Sequence, residues 1–62
     1  MQYEIIKTYD HKHIRCMHYE YNRIKQHPEF TQLLPVIKTM FVGESINIKT
    51  VFNYELYIER VG

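Results

Sequence analysis

The chain has one cysteine, no tryptophan, no alanine, two glycines, two prolines, one serine and one aspartate among 62 residues. A single cysteine, Cys16, cannot close an intrachain disulfide. That removes the disulfide-stapled secreted class and fits a reducing compartment. With two glycines there is no glycine-rich phosphate loop, and Gly43-Glu44-Ser45 does not have the form of a nucleophile elbow. The longest near-apolar run, Leu33-Leu34-Pro35-Val36-Ile37, is broken by proline and falls far short of the ~18 residues of a membrane span. The stretch Met1 to Lys7 has neither the basic nor the apolar region of a signal peptide, so a cytoplasmic location is expected. No linker or low-complexity stretch divides the chain, and residues 1–62 read as a single small domain.

What is present is a sheet-forming alphabet. Eight Ile and six Tyr stand against three Leu, and Ile, Val, Tyr, Phe and Thr fill 25 positions. At 45% hydrophobic and net charge +1 the chain is too apolar and too balanced to be disordered. It is also short enough that folding buries only about 60% of its surface, which favours completing the core with a partner. Phe, Tyr, Met, Ile, Asn and Lys total 28 residues against 7 for Gly, Ala, Arg and Pro, a bias that points to a low-GC genome such as that of a Gram-positive bacterium or its phage.

Residues 2–9 read as a strand ended by Asp10. From Asp10 to His27, Ile14, Met17, Tyr21 and Ile24 recur at helical spacing behind a possible aspartate cap, which predicts a helix over about 11–26. The absence of Ala and Leu there keeps a β-hairpin turning at Asp10–Lys12 as the alternative. Pro28 suits the start of a helical turn over 28–34, which Pro35 is expected to end. Residues 36–42 then read as a central strand, apolar on both faces.

The C-terminal stretch is the most regular. Ile46, Ile48, Thr50, Phe52, Tyr54, Leu56 and Ile58 share one parity, and Asn47, Lys49, Asn53, Glu55 and Glu59 the other. A hairpin keeps that parity only with a three-residue loop, which places the loop at Val51-Phe52-Asn53 with Asn in the left-handed position. Thr50 then faces Tyr54, Ile48 faces Leu56, Ile46 faces Ile58 and Lys49 faces Glu55. The expected fold is α+β: an antiparallel sheet of three or four strands with one helix and a short helical turn, or a mostly β fold with an N-terminal hairpin if 10–27 is extended.

His11, His13, Cys16 and His18 fall within eight positions, and imidazole and thiolate are zinc's usual ligands. On a helix, however, His11 and His18 stand about 10.5 Å apart along the axis. On a hairpin only Cys16 and His18 share a face, and no zinc-finger spacing is present. No metal and no cofactor is assigned, and the histidines are expected on the surface. Cys16 and His18 have no evident third residue to orient them as a nucleophile and base, and so small a chain has little room for a pocket of ~300 Å³. No enzymatic activity is expected.

Two binding surfaces remain. Tyr is an interface residue, and six Tyr exceed what so small a core is expected to bury with satisfied hydroxyls. The expected partner-binding residues are Val51 and Phe52 at the hairpin tip with Tyr54, Tyr57 and Tyr19. The expected function is a non-enzymatic protein-binding module that pairs with itself and with another protein, in the manner of a phage accessory inhibitor or regulator of a host protein. The alternative is a nucleic-acid-binding regulator. Residues 11–27 hold Lys12, Arg15, Arg23 and Lys25 against Glu20 alone, and on a helix Lys12, Arg15, Tyr19, Arg23 and Gln26 would line one face.

Overall fold

A computed structural model, described for residues 1–49 and 53–62, shows four strands in one antiparallel sheet and two short α-helices. The strands are β1 (Gln2–Tyr9), β2 (His13–Glu20), β3 (Ser45–Lys49) and β4 (Tyr54–Arg60), in spatial order β2-β1-β4-β3. The α-helices are α1 (Tyr21–Ile24) and α2 (Leu34–Ile37), with a 3₁₀ segment, Pro28–Leu33, between them. The sheet dominates, so the fold is α+β at its most β-rich and fits the mostly β alternative equally well. Among the described residues no helix is long and apolar enough to cross a membrane.

The helix expected over 11–26 is a strand over half its length, and only Tyr21–Ile24 within it is α-helical. β2 pairs with β1 in unbroken register from Gln2↔Glu20 to Tyr9↔His13. The turn between them holds Asp10 at φ 52° and His11 at φ 60°, with the Lys12 N–H donating to the Tyr9 carbonyl at 2.9 Å. Two successive left-handed residues are the signature of a type I′ hairpin turn. The supposed apolar stripe is split by this geometry: Met17 turns toward the core, whereas Ile14 lies 71% exposed on the other side of the sheet. Without Ala or Leu the segment has little intrinsic helicity, and pairing with β1 satisfies its backbone instead.

The strand expected over 36–42 is not formed either. Pro35 does not end the helical segment but sits in the first turn of α2, where its missing N–H costs nothing. Phe30, Ile37 and Met40 are buried, with Leu33 and Leu34 half-buried beside them. These five positions recur at three- and four-residue intervals, the period of a helical ribbon laid across a sheet. The segment must also carry the chain from β2 at one edge to β3 at the other, so it crosses the sheet rather than joining it.

The C-terminal hairpin follows the parity argument. Ile46 faces Ile58, Ile48 faces Leu56 and Lys49 faces Glu55, and Asn53 takes φ 64°. The proposed Thr50–Tyr54 pair and the loop residues Val51 and Phe52 lie outside the described residues. On the covered face of the sheet, Tyr3, Ile5, Tyr54, Leu56 and Ile58 meet Ile24, Phe30, Ile37 and Met40 in a single buried cluster. Full burial of an aliphatic or aromatic side chain stabilises by about 1.5–3 kcal/mol, so these nine carry the fold.

Candidate protein-binding surface

The alternation that builds the core gives the sheet two unlike faces. On the covered face, Lys7 is buried between hydrophobic neighbours, with its ammonium 5.1 Å from the Tyr54 ring centroid and 5.6 Å from that of Phe30. It is held there by Glu29 at the start of the 3₁₀ segment, at 2.7 and 2.8 Å to the two carboxylate oxygens. The Tyr54 hydroxyl donates to the same carboxylate at 2.7 Å. Burial raises the Glu29 carboxyl pKa, but the hydrogen bonds from Lys7 and Tyr54 and the nearby positive charge outweigh it, so Glu29 titrates below the ordinary carboxylate range. This triad ties the crossover to the two central strands.

The tyrosines are more thoroughly used than their number suggested. Tyr3 and Tyr54 are buried, Tyr9, Tyr19, Tyr21 and Tyr57 are half-buried, and none of the six is exposed. Tyr3 donates to the Ile37 carbonyl at 2.8 Å, and burial, with the neighbouring Tyr21, raises its pKa despite Arg60. Tyr57 donates to Glu59 at 2.5 Å, and that bond chiefly raises its pKa. Of the expected partner-binding set, Tyr54 therefore faces inward, Tyr57 lies on the open face, and Tyr19 sits at the sheet edge stacked on His27 with ring centroids 5.2 Å apart. Val51 and Phe52 lie outside the described residues.

The four basic residues do not share a face. Lys12 is in the turn before β2, while Arg23 and Lys25 follow its far end, about 25 Å away at ~3.3 Å per residue. Arg23 packs over Tyr19 at 5.3 Å and Lys25 over Tyr21 at 5.5 Å, and Arg15 lies on the covered side of β2. The contiguous basic helical face expected from the sequence is thus replaced by cations distributed along one edge.

That edge is an available surface. Among the described residues β2 has no neighbour on its outer side, and all eight of its residues are exposed except half-buried Met17 and Tyr19. The Tyr21 N–H donates to the Met1 carbonyl at 3.1 Å, so odd-numbered residues of β2 face β1 with their hydrogen-bonding groups. The N–H and C=O groups of Ile14, Cys16 and His18 consequently point outward. No proline or bulge interrupts them, and Ile14 presents a bare side chain. A second exposed apolar pair, Phe41 and Val42, stands on a turn clipped to β4 by the Gly43 N–H to Arg60 carbonyl bond at 2.8 Å. Gly43 has φ 92° there, a conformation that favours glycine.

The open face carries different chemistry. Register places Cys16, Ile6, Tyr57 and Asn47 in one row across the sheet, His18, Glu4, Glu59 and Ser45 in the next, and Ile14, Thr8, Glu55 and Lys49 on the other side. His18 Nε2 lies 3.0 Å from a Glu4 carboxylate oxygen. The histidine cluster of the sequence is dispersed: His11 is in the turn with Nδ1 3.9 Å from Glu55, and His13 is on the covered side. An open cleft of about 320 Å³ lies between the hairpin ends, lined by Thr8, Glu55, Asp10, His11, Lys49, Asn53 and Tyr54. It is larger than so short a chain was expected to hold, but among the described residues no serine or cysteine lines it. Glu4 was missed in the sequence, although the same period-two reading that served 46–58 would have put it on one face with Ile6 and Thr8.

Comparison of the chain with protein families, with curated proteins and with solved structures finds no match.

Proposed function

We propose that this chain is a non-enzymatic protein-binding module that associates with a second copy of itself by antiparallel pairing of β2 with β2. The observation that carries this reading is the eight-residue outer edge of β2, with its backbone donors and acceptors unblocked. An edge strand is complementary to itself about a two-fold axis, and such pairing closes as a dimer. Half-buried Met17 and Tyr19 at this edge gain cover from their counterparts in the second copy. Registers centred on Cys16 or on Met17 keep Arg15 away from Arg15.

Light scattering on the eluting protein across a range of concentrations tests the reading. The expected result is a dimer at micromolar concentration that becomes a monomer in Ile14→Pro, which loses an outward N–H without touching the β1 ladder, and in Ile14→Lys, which charges the edge. A wild-type monomer throughout, or a dimer indifferent to both substitutions, overturns β2 pairing. Band shifts with mixed DNA that vanish at moderate salt would instead favour nucleic-acid binding through Lys12, Arg15, Arg23 and Lys25.

A further inference from the structure

We propose that Glu4, Cys16 and His18 form a binding site for zinc or a divalent ion of similar preference, with a fourth coordination position left open to solvent. One donor atom from each residue lies within 4.8 Å of the other two, and His18 Nε2 stands 3.0 Å from a Glu4 carboxylate oxygen. In a tetrahedral zinc site with bonds of 2.0–2.3 Å the donors stand ~3.3–3.7 Å apart. The remaining adjustment falls to side-chain torsions, because Cys16 and His18 are exposed and Glu4 only half-buried.

The backbone supplies the preorganisation. Glu4 and His18 are direct cross-strand partners, and Cys16 precedes His18 by two residues and so projects from the same face. β1 is hydrogen-bonded on both sides, to β2 and to β4, which fixes the base of the site. A thiolate, an imidazole and a carboxylate suit zinc and cobalt; magnesium and calcium demand oxygen donors, which only Glu4 offers. The surrounding potential favours a cation, since Glu20, Glu55 and Glu59 share this face and Lys49 is its only lysine or arginine among the described strand residues.

Bound metal would clip edge strand β2 to central strand β1 through side chains, leaving the outward backbone groups of β2 free. It stabilises the folded chain by mass action, because the donors converge only when the hairpin is formed. Three protein ligands and an open position form the arrangement that admits water or a further donor.

The test is titration of the reduced full chain with Co²⁺ and then Zn²⁺. One equivalent of Co²⁺ should produce the visible bands of a tetrahedral ion and a thiolate-to-cobalt charge-transfer band, and Zn²⁺ should displace it and raise Tm. Cys16→Ser should abolish the charge-transfer band, and Glu4→Gln and His18→Gln should each weaken cobalt binding about tenfold or more. His13→Gln, on the opposite side of the sheet, should bind as the wild type does. Absence of the band at excess Co²⁺ overturns the site, as does binding that survives Glu4→Gln or His18→Gln unchanged, or that His13→Gln weakens equally. These spectra do not depend on dimer formation, so their failure is distinct from failure of β2 pairing.

Discussion

On the covered face of the sheet Tyr3, Ile5, Leu56 and Ile58 are buried almost completely, while their sequence neighbours Glu4, Ile6 and Tyr57 on the open face stay half-exposed and Cys16 and His18 stand in solvent. The two faces use the same strands and the same backbone hydrogen bonds. They differ only in what covers them, since the crossover from α1 to α2 lies on one side alone. Stability is concentrated where side chains leave water, and chemically versatile groups collect where they do not. Among the described residues the one charged pair on the covered face, Lys7 with Glu29, has its groups matched by each other and by Tyr54, and no buried side-chain nitrogen or oxygen lacks a partner.

The comparison breaks first at adjacent residues of β4. Ile58→Ala is expected to cost about 3 kcal/mol through lost burial and the cavity left behind, whereas Tyr57→Ala, one position away, should cost less than about 1.5 kcal/mol. Urea denaturation measures both, and equal losses would mean that the open face is part of the core.

The next largest effect concerns the buried charge pair. Glu29→Ala should lose about 3 kcal/mol by stranding the Lys7 ammonium, while the double change Lys7→Met with Glu29→Gln should lose less than Glu29→Ala alone. The pH dependence has a defined sign. The Glu29 carboxyl is lowered in the folded state, so its contribution is complete above the ordinary carboxylate range of about 4.3 and is lost as pH falls through the folded value. The stability gap between wild type and Glu29→Gln should therefore narrow in acid, as followed by denaturant titrations from pH 6 downward. A gap that stays constant would show that the carboxylate charge contributes nothing.

The smallest effect is expected at the exposed turn. Phe41 is 76% exposed, and Phe41→Ser should change stability by no more than about 0.5 kcal/mol. A larger loss in thermal melts would reveal cover on Phe41 that a single chain does not supply.

The two hairpins differ in how legible they were. For β3 and β4 the parity of Ile46, Ile48, Leu56 and Ile58, with Asn53 at the turn, fixed register from neighbouring residues alone, and the pairing follows it. For β1 and β2 the turn is Asp10-His11, a pair without glycine, so the two left-handed residues gave no strong signal. Ile14, Met17, Tyr21 and Ile24 meanwhile mimicked a helical stripe. Of the candidate site, Cys16 and His18 could be seen to share a face if extended, but Glu4 enters only through the register of β2 against β1.

The tripeptide Ile-Lys-Thr shows where local information ends. Ile6-Lys7-Thr8 lies in the central strand β1, while Ile37-Lys38-Thr39 closes α2, with Ile37 buried beneath the crossover. Identical residues took opposite backbones because β1 has strands to pair with on both sides, whereas the segment around Ile37 must span the sheet.

By itself the sequence determined that this chain is sheet-forming, without an intrachain disulfide, and hairpin-ended at its C-terminus, because composition and period-two alternation act between near neighbours. Only the tertiary structure decided that 13–20 is a strand, that 28–40 is a covering ribbon, and that Glu4 joins Cys16 and His18. Those outcomes depend on which distant backbone groups satisfy one another and on which side of the sheet the crossover falls.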